Sequence, residues 1–409
     1  MECCDTLYNS FLPFEDGIRD VTLKTIANEK DIFESMVQYF SDERPAKSCN
    51  SSADIVAFFK HNKKALFVDC VENGGFSHCQ QFYLMQFDSM RKMCQTFKRQ
   101  KYIHNKGYTG TTLSLQLSMD RVTRLPYIFE RWKGAVSIGI MIKENEIEEA
   151  AKMIQRFMKK SKLVFTIYIQ KTITESNTPY YSYPDGKKQY FPNGMYPVNI
   201  MRDLSIESIT TTHYMLTDVD VFLSKSIQST IDSYSDILQD HHNLVVLPLF
   251  EYRNSSVIQK CFKDGVCGRL WNRVPTTKSE VLEMFDLGEI QIIEDQYHNV
   301  MNMSEWREYN GRLMLSRYFN HMEPYGVFRR SAADPIFHPY FIDYGGNKME
   351  LYFQFRAMNY NTPYVFPSDF GFNIPHKRTS HSVYYKQNKD IQPMNKQYWS
   401  FLKMYKIKA

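Results

Sequence analysis

The sequence predicts an α/β fold built on a mixed, mostly parallel sheet, and two observations predict it. From about Gly107 onward, short β-rich runs alternate with amphipathic segments, the pattern of strands joined by crossover helices. One of those segments, 144–160, sets Ile147, Ala150, Ala151, Ile154 and Phe157 on a single face at helical spacing, which is how a helix covers a sheet. In chain order the elements are a strand "TLSLQLSM" (112–119), a helical stretch "RVTRLPYIFERW" (121–132), a strand "VSIGIMIK" (136–143), the amphipathic helix, and a strand "LVFTIYIQ" (163–170). A second series follows: a helix opening near "YPVNIMRDLSIES" (196–208), the strand "HYMLTDVD" (213–220), a helix after Ser224, and the apolar strand "LVVLPLFEY" (244–252). Beyond 290 the chain is richer in aromatic residues and loops.

The first hundred residues differ. They hold six of the eight cysteines, a helical stretch "EKDIFESMVQYF" (29–40) and a polar break at 41–52. We read 1–106 as an N-terminal extension or cap and 107–409 as the main domain.

Composition narrows the function. A 43% hydrophobic content over 409 residues fills a sizeable core. The net charge of +5 (50 Lys and Arg against 45 Asp and Glu) is spread along the chain, and its densest piece, "FKRQK" (97–101), reads as a solvated face; nucleic acid is not an expected partner. The cysteines form no CxxC pair, which excludes a structural zinc. Their even count, the short Cys261 to Cys267 loop and the sequons at Asn50, Asn254 and Asn302 point to a lumen where disulfides persist and N-glycans are added. No apolar run reaches about 18 residues and the N-terminus has no signal-peptide pattern, so any membrane attachment is expected through an anchor outside this chain.

The chemistry centres on Asp218 and Asp220, one residue apart at the end of a strand. In open α/β sheets ligands bind beyond the carboxyl ends of the strands, and two carboxylates there suit a hard divalent cation. An isolated Asp-x-Asp reads equally well with Asp220 or Ser224 capping the next helix.

Several segments in order carry a resemblance that bears on this choice: "LSMDRVTRLPYIFERWKGAVSIGIMI" (117–142), "YPVNIMRDLSIESITTTHYMLTDVDVFL" (196–223), "VVLPLFE" (245–251), "KSEVLEMFDLGEI" (278–290), "EPYGVFRR" (323–330), "YGGNK" (344–348) and "NKQYWSFLK" (395–403). The chain from Gly107 to its end resembles the LARGE and beta-1,4-glucuronyltransferase group of glycosyltransferases, family 49. The resemblance implies a GT-A fold, Mn2+-dependent inverting transfer from a UDP-sugar to a glycan acceptor on a glycoprotein or oligosaccharide, and a Golgi location, luminal or membrane-attached. It makes Asp218 and Asp220 the DxD metal motif, and matches a late metal-binding histidine to His376, with His381 as the alternative. Ser118, Asp120 and Arg121 fall where the nucleotide is received, Asn199 and Arg202 where ribose or donor sugar is touched, and Lys377 beside the diphosphate. Helix capping or surface pairing would equally account for several of these. The catalytic base is expected to be Glu323, with Asp343 second. The chain departs from the family at "YGGNK", where Asn347 and Lys348 follow the glycines, and in "MELYFQF" (349–355); both departures bear on the acceptor. Glucuronic acid is the first donor expected, with xylose or N-acetylglucosamine, or a catalytically silent glycan-binding protein, as the alternatives. A glycosidase fits less well, because its two carboxylates flank a scissile bond.

Overall fold

The computed structural model describes residues 46–62, 66–73, 76–100, 107–159, 162–182, 186, 188–265, 267–293, 295–317, 322–331, 334–337, 346–358, 360–361 and 363–376. The expected helix at 29–40, Asp343, Lys377 and His381 lie outside these residues.

A 12-stranded sheet dominates. Its spatial order is β1 (Lys47–Ser48), β4 (Met93–Thr96), β3 (Phe76–Asp88), β7 (Leu163–Gln170), β6 (Val136–Lys143), β5 (Thr111–Ser118), β10 (His213–Leu216), β16 (Gly326–Arg329), β12 (Val245–Val246), β17 (Tyr364–Val365) and β15 (Met314–Leu315), with β2 (Leu66–Asn73) paired to β3. The centre, β7–β6–β5–β10, is parallel, and antiparallel strands are added on both sides. A second sheet holds β11 (Val221–Leu223), β18 (Gly371–Asn373), β13 (Leu249–Tyr252) and β14 (Ile290–Ile292), and β8 (Tyr180–Ser182) pairs with β9 (Lys188–Tyr190) as a hairpin.

The central strands are covered on both faces, which is why β6 and β7 read as unbroken apolar runs. Pleating sorts their side chains. Ile138, Ile140, Phe165 and Ile167 join one core cluster with Ile147, Ala150, Ala151, Ile154 and Phe157 of helix Ile147–Phe157. Met141 and Tyr168 join another with Ile200, Met201 and Leu204 of helix Val198–Glu207. That second helix lies very close to the sheet at Gly139, where a Cβ would meet the Met201 carbonyl oxygen at 2.4 Å. Ser137 Oγ donates to the Ser205 carbonyl (2.7 Å) and Ser114 Oγ bonds Ser205 Oγ (2.5 Å), fixing the helix over β5 and β6.

Residues 47–96, within the stretch read as an extension, continue this same sheet: β3 pairs with β7 from Phe82↔Gln170 to Asp88↔Val164. Helix Ser52–His61 packs on helix Ile147–Phe157, and a disulfide joins Cys49 to Cys94. A second disulfide, Cys261–Cys267, closes the short loop that the spacing suggested.

One expected strand is corrected. "LVVLPLFEY" is two strands in different sheets, β12 and β13, with Leu247 and Pro248 between them. Proline has no N–H to give a ladder and stands where pairing stops. "HYMLTDVD" also ends early as a strand: β10 stops at Leu216, and Asp218 to Asp220 form a turn closed by Val221 N–H donating to the Asp218 carbonyl (3.0 Å). This turn carries the chain from the large sheet into the second one.

Candidate active site

The turn at 218–220 stands just past the carboxyl ends of β5 and β10, where the parallel pairing of Leu216 with Ser114 ends. β11 leaves the turn and pairs antiparallel with β18 from Val221↔Asn373 to Leu223↔Gly371. The pairing extends to Ile374 N–H, which donates to the Asp220 carbonyl (2.9 Å). This register carries His376 to Asp220 across more than 150 residues of chain: His376 Nε2 is 3.5 Å from Asp220 Oδ2. Arg131 anchors the start of the second sheet, donating to the carbonyls of Leu223, Pro275 and Val274, each at 2.8 Å.

The two aspartates face different neighbours. Asp218 has both oxygens committed: Oδ1 accepts from Arg202 Nη2 (2.8 Å) and Gln116 Nε2 (3.4 Å), Oδ2 from Tyr325 Oη (2.5 Å) and Lys348 Nζ (3.3 Å). Burial alone would raise this carboxyl, but Lys348 and Arg202 together with these hydrogen bonds hold it well below the usual carboxylate range. Lys348 also donates to Tyr325 Oη (2.6 Å), reaches Glu323 Oε2 at 3.3 Å, and lies over the Tyr325 ring. Burial opposes its charge, yet Asp218, Tyr325 and Glu323 keep its pKa above the ordinary lysine value. Gly346, at φ 69°, opens the helix Asn347–Ala357 that presents Lys348; only glycine holds that left-handed conformation without strain. His298, buried beneath Tyr325, is pushed down to about 4, chiefly by burial, and is therefore neutral near pH 7. Tyr196 donates its hydroxyl proton to Gln116 Oε1, so the Asp218 cluster extends to the loop before helix Val198–Glu207.

Asp220 faces arginines. The 3₁₀ turn Met119–Arg124 that follows β5 places Arg121 Nη1 on Asp220 Oδ2 and Arg124 Nη1 2.8 Å from Asp220 Oδ1. The Arg124 contact is one of charge: among the described residues, Arg124 Nε and Nη1 and Asp220 Oδ1 are buried without a hydrogen-bond partner of acceptable geometry. Burial pulls Arg124 down to about 10. The adjoining Ser118 donates to Asp120 Oδ1, and Asp120 is exposed, 3.7 Å from Arg121 Nε.

The expected residues therefore assemble as two adjoining groups. Arg202, Asn199 and Glu323 belong with Asp218; Asn199 Oδ1 accepts from Arg202 Nη1 at 3.5 Å. Ser118, Asp120, Arg121 and His376 belong with Asp220. Neither Asp220 nor Ser224 takes the capping role that the motif alone allowed: the N-cap of the next helix, Ile227–Ser233, is Ser226, and Ser224 Oγ donates instead to Asp369 (2.6 Å). Sequence reading missed Gln116, Arg124, Tyr196, His298 and Tyr325 as site residues and treated Lys348 only as a departure. Gln116 was accessible in principle, because it stands two before Ser118 on the same face of β5. Arg124, Tyr196, Tyr325 and Lys348 lie inside the segments that carry the resemblance, whereas His298 lies outside them.

The donors at Asp220 fit a divalent cation. His376 Nδ1 lies 2.9 Å from the Ile374 carbonyl oxygen, which can only accept, so Nδ1 carries a proton and Nε2 is the ring nitrogen that faces Asp220. This is the arrangement that orients histidine ligands in metal sites. The buried, unbonded Asp220 Oδ1 supplies a second donor of the type Mn2+ takes. Asp218, with four donors on its two oxygens, is the counter-ion of Arg202 and Lys348 beside that pair.

Comparison with known proteins places this geometry. The chain is 23% identical to xylosyl- and glucuronyltransferase LARGE1 of Mus musculus over 328 residues, covering 73% of this chain and 37% of that protein. With LARGE2s of Danio rerio identity is 26% over 296 residues, 68% and 33% of the two chains. With LARGE1 of Gallus gallus it is 23% over 360 residues, 84% and 40%. The chain thus spans well under half the length of these relatives. A solved structure, S. aureus TarS 1-349, superposes with a TM-score of 0.35 at 9% identity over 63% of this chain and 58% of that one, a likeness too loose to carry a conclusion. The model of the family described as "Glycosyl-transferase for dystroglycan" matches residues 111–392, well over half the chain, so the protein belongs to that family.

Proposed function

We propose that the protein transfers glucuronic acid from its UDP-sugar to a hydroxyl of a glycan acceptor on a glycoprotein or oligosaccharide, with inversion at the anomeric carbon. The observation that carries this reading is the Asp220 and His376 pair, set beside Arg121 and Arg124 and backed by the Asp218 cluster at the carboxyl ends of parallel strands. Asp218, Asp220 and His376 would hold Mn2+, which when bound supplies Lewis-acid stabilisation of the departing diphosphate. Arg121, Ser118 and Asp120 receive the nucleotide, with Lys377 beside the diphosphate. Asn199 and Arg202 touch ribose or donor sugar, and Arg202 would meet a uronate carboxylate through its planar fork.

The bond formed joins the acceptor oxygen to the anomeric carbon as the bond from that carbon to UDP breaks. The hydroxyl proton passes to a carboxylate on the face opposite UDP. Glu323, partly exposed and 3.3 Å from Lys348, is the first choice for this base and Asp343 the second. Xylose is the second donor reading, supported by the names of the relatives. The disulfides Cys49–Cys94 and Cys261–Cys267 support an oxidising compartment, here the Golgi lumen. Among the described residues no helix is long and apolar enough to cross a membrane.

The deciding experiment is release of UDP and sugar transfer across UDP-glucuronic acid, UDP-xylose and UDP-N-acetylglucosamine, with and without Mn2+. Metal-dependent turnover of UDP-glucuronic acid alone supports the reading. Turnover of another donor replaces the sugar, and no turnover of any donor on glycan acceptors overturns it.

A further inference from the structure

The two arginines on Asp220 raise a charge problem that a metal-binding carboxylate has to solve. Arg121 Nη1 sits on Oδ2, and Arg124 Nη1 is 2.8 Å from Oδ1. Guanidinium does not lose its proton at ordinary pH, so a divalent cation entering between Asp220 and His376 meets two full positive charges already in place. An anion that draws a guanidinium group away from Asp220 relieves that repulsion.

Arg124 is built for such an exchange. Its side chain is 8% exposed, yet Nε and Nη1 have no hydrogen-bond partner among the described residues, so its hold on Asp220 is one of charge and not of directed hydrogen bonds. Its Cζ lies 5.7 Å from the centre of the Trp271 ring, within cation–π range. Trp271 in turn donates its indole N–H to the Pro375 carbonyl (3.2 Å), next to His376. Arg124 therefore borders both Asp220 and the segment that carries the histidine. A diphosphate offers paired oxygens that a guanidinium fork meets with two parallel hydrogen bonds, replacing the loose contact with Asp220.

We infer that Arg124, together with Arg121, is an exchangeable counter-ion of Asp220, moving to the diphosphate when the cation takes the carboxylate. The inference rests on the nucleotide-sugar reading above. Its consequence is linkage: nucleotide strengthens cation binding, and by reciprocity the cation strengthens nucleotide binding by the same factor. Arg124 opposes the cation when it binds alone and favours the nucleotide when both are present.

The test is titration calorimetry of Mn2+ alone, of Mn2+ with saturating UDP, and of UDP with saturating Mn2+, on the full chain. Wild type is expected to bind Mn2+ at least about tenfold more tightly with UDP present, within the usual range for coupled sites. Arg124→Gln is expected to tighten Mn2+ alone and to weaken UDP in the presence of Mn2+, each by about tenfold. A residue with only a structural role would weaken both. Arg124→Lys, which keeps the charge without the fork, is expected to leave Mn2+ alone as weak as in wild type, and thermal unfolding checks that both variants fold. If Arg124→Gln fails to fold, the wild-type and Arg124→Lys titrations decide. Mn2+ binding that is the same with and without UDP in wild type, that is unaltered in Arg124→Gln, or that is tightened for Mn2+ alone in Arg124→Lys overturns the exchange only. Absence of Mn2+ binding at any UDP concentration overturns the nucleotide-sugar reading itself.

Discussion

Lys348→Met removes a buried ammonium from between two carboxylates while keeping most of its volume. Nζ is 3.3 Å from Asp218 Oδ2 and 3.3 Å from Glu323 Oε2, and the three side chains are 9%, 23% and 20% exposed. At an effective dielectric constant of about 20 each contact is worth roughly 5 kcal/mol gross. Burying the ammonium costs several kcal/mol. The difference agrees with the ~3–5 kcal/mol usually lost when one partner of a buried pair is removed. At about 2 °C per kcal/mol for a large domain, the variant should melt roughly 6–10 °C below wild type at pH 7. The pH dependence has a definite sign. Asp218 is depressed in the folded state, so its contribution is present above the unfolded carboxylate value of about 3.9 and is lost as pH falls through the lower folded value. Lys348 is raised, so its contribution is present below about 10.4 and is lost only as pH rises through a still higher folded value. The gap between wild type and variant should therefore be full between about pH 4 and pH 10 and should shrink in acid. Chemical denaturation at pH 7 and below pH 4 measures it. A loss under about 1 kcal/mol at pH 7, below the range for breaking a buried pair, or a gap that widens on acidification, would refute the assignment of Lys348 as the buried counter-ion.

Three further outcomes follow from the same geometry. Asp220→Asn and His376→Ala should each weaken Mn2+ binding in the presence of UDP by about tenfold or more, the scale of losing a metal ligand or its support, and full retention by calorimetry would move the metal elsewhere. Glu323→Gln should keep UDP-sugar binding yet lose transfer by roughly 10²-fold or more, the scale of a general base; unchanged turnover would pass the role to Asp343. Asn254 and Asn302 accept backbone N–H groups through Oδ1 as helix N-caps, an arrangement that uses the oxygen and not the amide nitrogen to which a glycan is joined. Secreted from a eukaryotic cell, the chain should lose mass on treatment with peptide N-glycosidase, and a mass equal to that of the bare polypeptide would count against a luminal protein.

The parts of the fold written in local pattern were legible. β6 and β7 coincide with the runs 136–143 and 163–170 because burial on both faces leaves an unbroken apolar string with polar ends. The expected face of helix Ile147–Phe157 is buried as the spacing required, with Met153 added. The strand expected over 244–252 failed at Pro248, where missing hydrogen-bond capacity outweighed continuous hydrophobicity. The pairing of β3 with β7 was not legible, since an apolar strand carries no mark of which neighbour it will take.

The site divides in the same way, and the division explains why Asp218 and Asp220 look equivalent on paper. Their spacing announces a pair of carboxylates at a strand end but says nothing about the charges that will meet each of them. Those charges come from three separate places: the turn after β5 supplies Arg121 and Arg124, helix Val198–Glu207 supplies Arg202, and the helix behind Gly346 supplies Lys348. Only the folded chain separates an aspartate with four hydrogen-bond donors on its two oxygens from one that meets two arginines and an imidazole. Two aspartates of one turn thus meet different neighbours, which their spacing alone does not announce. Lys348 makes the point most clearly: read in sequence it is a departure from the family pattern, and in the structure it joins Asp218, Tyr325 and Glu323, so that departure lies within the cluster.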